Sequence, residues 1–376
     1  MICVPVKADA YGHGAVKIAK TSIKAGADCL GVASVAEGTE LRKNGIKMPI
    51  LLFSQPHPDE IPELIKADLS PFISDAEFIS ILSGQIKKQN KQNAKKHGSQ
   101  KQKLSVHLKI DTGMGRIGCQ VNESIDLARL IASCKELKLA GTATHFSVSD
   151  LTDEESVKYT MTQLNSFKKA VEAIKADGID PGILHAANSG AVILHPESWL
   201  DMVRPGIFLY GYKTAEEKDL PPEYQKKLSG FEPLTAKPVM ELRCAVTMIK
   251  KIKKGESVSY GRTWTAEKNT DIAILSIGYD DGFPRIVSNK WHISINGEVF
   301  PIIGRITMDQ CMINLGQNHN VKRWDEAVIF GGVSPDTDAS LDANTSLDVN
   351  ALAKIANTIP YEITCNVNKR VPRVYV

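Results

Sequence analysis

Leu139–Gly190 reads LAGTATHFSVSDLTDEESVKYTMTQLNSFKKAVEAIKADGIDPGILHAANSG. It contains a complete strand–helix–strand unit. An apolar run, Leu139–Thr144, is followed by Asp153–Asp177, where Val157, Met161, Leu164, Val171 and Ile174 recur at helical spacing and Gly178 suits the position just past a helix end. A second apolar run, Ile183–Ala186, follows. Upstream the same alternation supplies Ile2–Val6, Cys29–Ala33, Ile50–Phe53, Leu69–Ile73 and Ser105–Ile110, and downstream Leu200–Val203. Eight strands alternating with helices predict a (β/α)8 barrel. A doubly wound sheet is the rival, but it needs fewer strands and usually a Gly-rich first turn, which this chain lacks.

After about Leu234 the helical period fades. Val239–Lys250, Ser257–Tyr260, Asp271–Ile277, Trp291–Ile295 and Met312–Leu315 read as strands, and Asn296-Gly297 as a hairpin turn. Phe330–Asp348 reads as a loop and Val349–Asn357 as a late helix. The expected division is therefore 1–235, an α/β TIM barrel, and 236–376, a mostly-β C-terminal domain.

The 376 residues are 43% hydrophobic and 24% charged, a globular balance that excludes a fibrous or wholly disordered chain. No apolar run approaches the ~20 residues of a membrane helix, and the start MICVPVKADAYGHG carries Lys7 and Asp9 where a signal peptide would be apolar. The net charge of +3 is local, because Gly84–Lys103 holds seven lysines and no acid. With no aromatic interleaved for base stacking, this stretch reads as a solvated insertion rather than a nucleic-acid arm. The seven cysteines form no CxxC pair, which fits a reducing cytoplasm. No metal site is expected.

Barrel enzymes carry their chemistry at the C-terminal strand ends, and polar residues gather there. Lys7 ends strand 1; Lys109, Asp111 and Arg116 follow strand 5; His145 ends strand 6; His185, Asn188 and Ser189 follow strand 7; Arg204 and Gly206 follow strand 8. A lysine ending a buried strand can be desolvated, which lowers its pKa and makes it a nucleophile of the Schiff-base kind. The turns after strands 7 and 8 are where barrels often bind phosphate, although Ser189 would serve equally as a helix N-cap. A nucleophilic lysine beside a phosphate site suggests pyridoxal phosphate.

VKADAYGHGA, HLKIDTGMGRIG, HAANSGA, VRPGIFLYG, VSYGRTW, GRITMDQCMI and TIPYEI, in this order from Val6 to Ile363, closely resemble the alanine racemase family, fold-type III pyridoxal-phosphate enzymes. The resemblance implies that Lys7 holds the cofactor covalently and acts as one base. It implies that Tyr11, Asn188, Ser189, Gly206, Ile207 and Tyr361 serve its phosphate end, and that Arg204 faces the pyridine nitrogen. Arg116 would contact the cofactor's phenolic oxygen and the substrate, and His145 would orient the ring. Lys109 resembles the lysine often carbamylated in this family. Tyr260, the opposite base, and Met308, with its backbone at the substrate carboxylate, would come from the second subunit of a homodimer, and Tyr279 would line the entrance. One base per face, Lys7 and Tyr260, meets the demand of racemisation. The implied role is D-alanine supply for peptidoglycan.

A racemase of wider substrate range and a non-catalytic cofactor-binding barrel are the rivals. A decarboxylase would be expected to carry an acid where Arg204 stands. Family members usually carry a further strand and helix before the lysine strand, so the native start is expected upstream of Met1, or this is a shortened form.

Overall fold

The computed structural model describes residues 1–97, 103–232, 234–331 and 347–376. Its backbone contacts divide into two units. One is Met1–Ala10, Gly14–Leu209 and Lys213–Ala236; the other is Tyr11–His13, Tyr210–Tyr212 and Lys237–Val376.

The first unit is a parallel barrel. Strands β1 (Cys3–Pro5), β2 (Cys29–Val32), β3 (Ile50–Leu52), β4 (Ser70–Ile73), β5 (Leu104–Lys109), β6 (Leu137–Ala143) and β7 (Ile183–His185) lie side by side in chain order. Their registers are parallel, from Cys3 opposite Cys29 to Ala143 opposite His185. Both faces of β1–β3 are buried, the signature of strands covered by helices. The eighth position differs from the expected Leu200–Val203 strand, because it is reduced to an isolated bridge between Ile2 and Val203. Cys3 N–H donates to Val203 O (2.9 Å) and Met202 N–H to Leu184 O (3.2 Å), so this short piece spans the gap between β7 and β1. Leu200 has φ of 50° and Pro205 removes a donor, so extended pairing has no room to lengthen.

Glu154–Ala176 forms the long helix that the periodicity predicts, with the Asp153 carboxylate accepting from Ser156 N–H at its start. The lysine-rich stretch behaves differently from a plain insertion. The helix from Ala76 continues through His97, because lysine, glutamine and alanine favour helix and no proline interrupts them. Residues 98–102 lie outside the described part of the chain, as do 332–346 of the expected loop.

The second unit is antiparallel. Strands β8 (Leu242–Ile252), β11 (Thr270–Leu275), β12 (His292–Ile295), β13 (Glu298–Pro301), β14 (Cys311–Gly316) and β15 (Glu326–Phe330) order as β13-β12-β15-β8-β11-β14, and a bridge between Ile302 and Ile313 curls the sheet towards closure. β9 (Ser257–Val258) and β10 (Trp264–Thr265) form a separate ribbon. Asn296 and Gly297 both have positive φ (52° and 81°), the hairpin geometry expected of that dipeptide. The late helix is observed as Val349–Ile355, and a further one, Pro360–Cys365, was not anticipated.

Candidate active site

Lys7 follows β1, and the backbone directly after it is unusual. Ala8, Asp9, Ala10 and Tyr11 all have φ between 51° and 55°. Left-handed conformation costs an L-residue about 1–2 kcal/mol, and such strain concentrates at functional sites. Two carboxylates hold this turn. Glu37 accepts from Ala8 N–H with one oxygen and from Ala33 N–H with the other, both at 2.7 Å, and Asp9 accepts from Ala15 N–H at 2.7 Å.

Arg204, directly after the short eighth piece, is only 5% exposed and bonds to residues at the ends of β6 and β7. Its Nη1 donates to His185 Nδ1 (2.8 Å); its Nη2 donates to Thr144 O (2.8 Å), Ala186 O (3.0 Å) and His145 Nδ1 (3.3 Å). Because a guanidinium only donates, both histidines must accept at Nδ1 and carry their proton on Nε2. His185 Nε2–H then donates to His107 Nδ1 at 2.8 Å. One cation thereby sets the tautomers of three imidazoles. Burial, followed by the charge of Arg204, lowers His107 to about 4 and pushes His145 and His185 well below the usual histidine range. Burial lowers Arg204 itself to about 10, which leaves it protonated at neutral pH. Among the described residues its Nε–H has no hydrogen-bond partner.

Lys109, at the end of β5, is 3% exposed and donates to Ile110 O (3.0 Å). Burial, then the repulsion of Arg204, lowers its amine to about 7, so a large share is neutral near physiological pH. Asp111 accepts from the N–H groups of Gly113, Met114 and Gly115. Burial raises its pKa, but these bonds outweigh it and the net shift is downward. Arg116, in the same loop, is exposed. After burial and Arg204, the charges of Lys109, Arg116 and Lys7 all act to lower His145.

The helix Ser189–Leu194 is capped by Asn188 rather than Ser189. The Asn188 Oδ1 accepts from Ala191 N–H (3.1 Å) and Ser149 Oγ–H (2.6 Å). The Ser189 hydroxyl instead accepts from Phe208 N–H (3.3 Å). Gly206 and Ile207 are buried, and among the described residues their N–H groups have no partner. Buried unpaired N–H groups are costly; together with the Ser189 hydroxyl they form a cradle for an anion.

In the second unit, Tyr11 lies against Tyr361 and Tyr210, with ring centroids 5.8 Å and 5.0 Å apart. Tyr260 is 73% exposed, on a turn whose Ser259 hydroxyl donates to Arg305 O (2.7 Å). Met308 and Tyr279 are also exposed. The sequence reading did not single out His107, Thr144 or Glu37. His107 is spaced two residues before Lys109, which puts both on one face of β5, a signal that was available. The Thr144 carbonyl left no trace in sequence.

A lysine on a strained turn, a buried guanidinium and unpaired backbone N–H groups thus gather at the strand ends of a parallel barrel, the end at which barrel enzymes carry their chemistry. Residues 1–214 match the family model described as alanine racemase, N-terminal domain, and residues 239–375 that of the C-terminal domain. The chain is 50% identical to the alanine racemase of Treponema denticola over 375 residues, covering 100% of this chain and 91% of that one. Among solved structures, the alanine racemase of Clostridium difficile superposes with a TM-score of 0.83 at 34% identity, over 98% of this chain and 87% of that one. That of Bacillus anthracis with bound L-Ala-P gives 0.82 at 30%, over 100% and 88%. The chain belongs to the alanine racemase family.

Proposed function

We propose that this chain interconverts L- and D-alanine with pyridoxal phosphate as its cofactor, acts as a homodimer in the cytoplasm, and supplies D-alanine for peptidoglycan. In this reading 1–235 is the cofactor-binding barrel and 236–376 lends residues to the neighbouring copy. The observation that carries it is the buried Arg204, which donates to His185 Nδ1, His145 Nδ1 and two backbone carbonyls at the strand ends of a barrel that matches the alanine racemase family. The site also fits the group. The unpaired Arg204 Nε–H suits a ring nitrogen that can only accept, and the open N–H groups of Gly206 and Ile207 with Ser189 suit a phosphate. Tyr11 and Tyr361, whose tilted rings have centroids 5.8 Å apart, and the Asn188 cap would complete that end.

Pyridoxal phosphate, when bound, supplies an electron sink that acidifies the Cα–H of an attached amino acid. Lys7 would anchor it and move a proton at one face of Cα. Tyr260 of a second copy would do so at the other face. Arg204, held protonated, would keep the ring nitrogen from gaining a proton, which would limit the electron demand and disfavour transamination. Arg116 and the backbone of Met308 would hold the substrate carboxylate, His145 would orient the ring, and Tyr279 would line the entrance. Lys109, poised near neutrality, is suited to carbamylation, since only a neutral amine attacks CO2; the resulting anion would hold Arg116. Among the described residues no helix is long and apolar enough to cross a membrane.

The test is solvent-deuterium incorporation at Cα of each alanine enantiomer, with an amino-acid panel run alongside. Exchange from both enantiomers is expected. Lys7→Ala should abolish it together with the cofactor's visible absorbance band, and Tyr260→Phe should suppress exchange mainly from the L side. An intact band in Lys7→Ala, or equal loss from both sides in Tyr260→Phe, contradicts the assignment.

A further inference from the structure

Two turns of the β-rich unit carry the residues assigned to substrate. Gly278–Gly282 holds Tyr279, and Gly304–Gln310 holds Met308. They are zipped by backbone: Tyr279 N–H donates to Thr307 O (3.0 Å) and Asp280 N–H to Met308 O (3.1 Å). Contact is so close that a Cβ on Gly278 would lie 2.2 Å from Met308 O. Thr307 closes its own turn, donating from N–H (2.9 Å) and Oγ1 (2.7 Å) to Gln310 O. Among the described residues, the Met308 N–H is left without a partner. That is the group an incoming carboxylate would use.

A third segment reaches both turns. Arg370 donates from Nε to Asp281 (2.8 Å) and from Nη2 to Asp309 (2.9 Å), and its Nη1 lies 2.8 Å from Asp280. Asn368 N–H donates to Asp281 O (3.2 Å), and Asn368 Oδ1 accepts from Arg370 N–H (3.1 Å), so the guanidinium is aimed from a fixed backbone. Each carboxylate directly follows Tyr279 or Met308 in sequence, or lies one residue beyond.

We propose that Arg370 is a positioning residue for the substrate carboxylate: one guanidinium staples the Tyr279 and Met308 turns and holds the Met308 N–H in its binding direction. This rests on the reading of Met308 given above. The staple is 40% exposed. Exposed ion pairs contribute little to global stability, so its effect should fall on substrate binding. A fork with three nitrogens engaged is geometrically specific, and lysine cannot reproduce it.

The experiment compares wild type, Arg370→Met, Arg370→Lys and Asp309→Asn in the full-length holoenzyme, by steady-state kinetics, thermal melting and amide hydrogen exchange. Arg370→Met should raise KM for alanine about tenfold, the effect of one lost hydrogen bond to a charged group, with kcat within about twofold. Exchange should speed up in 278–282 and 304–310 alone. Arg370→Lys should recover part of the KM. Asp309→Asn, which alters a solvent-facing arm and tests the proposal even if Arg370→Met fails to fold, should show a smaller change of the same kind. An active Arg370→Met with unchanged KM, or kcat falling in step with a lowered melting midpoint, overturns the proposal. An inactive wild type overturns the functional reading instead, and the exchange data then report separately on whether the turns are stapled.

Discussion

The barrel mouth and the exposed turns of the β-rich unit solve opposite problems. In the mouth, Arg204, His145, His185 and Lys109 are held in by burial, and both Nη atoms of Arg204 and both ring nitrogens of His185 are matched to partners. Groups left open there, such as the Arg204 Nε–H and the Gly206 and Ile207 N–H groups, then become informative. In the turns, Tyr260, Tyr279 and Met308 face outward, and their local backbone is held by hydrogen bonds and by Arg370 at partly exposed positions. Burial makes the first region self-specifying through the high cost of unpaired charge. The second is ordered locally, but its large side chains lack a covering surface within their own unit, which is how a contact surface for another molecule presents itself.

The comparison breaks most readily at low pH. His107 titrates at about 4 in the folded chain against 6.5 when unfolded. Between these values the unfolded chain binds the proton and the folded one does not, so stability falls as pH drops from 6.5 to 4. The loss is about 3 kcal/mol for this group alone, and His145 and His185 shift in the same direction. Denaturant titrations across this window should show the loss, and His107→Gln should shrink it. A flat profile would mean that the imidazoles are solvated. A smaller effect is expected at the edge of the mouth. Glu37→Gln turns one acceptor oxygen into a donor facing Ala8 or Ala33 N–H, at a cost of about 1–2 kcal/mol in chemical denaturation. The smallest lies in the turns: Tyr260→Ala should leave the melting free energy within about 0.5 kcal/mol while catalysis is lost. A large stability loss there would show that the tyrosine is packed after all.

The strand–helix alternation, the change of period after Leu234, the Asn296-Gly297 hairpin and the clustering of Lys7, Lys109, His145, His185 and Arg204 at strand ends were all legible in sequence. They depend on local periodicity and on turn residues whose preferences act within a few positions. The short eighth strand was not legible as such, because Leu200–Val203 has a strand's composition and only its positive-φ start limits it. Nor were β10, which is two residues long, and β15, which takes its pairing from β8 and β12, distant in the chain. Asn188 and Ser189 were legible as a pair, but which of them caps the helix depended on where the backbone turns.

The chain's pattern alone determined that a parallel barrel precedes a β-rich unit, and its motifs alone determined the family, because both reside in short-range order. Only the tertiary structure decided that Arg204 orients three imidazoles, that Lys109 is buried enough to approach neutrality, and that Arg370 joins two turns. Those properties arise from desolvation and from donor–acceptor geometry between residues 19 to 89 positions apart, and neither quantity exists until the chain has closed upon itself.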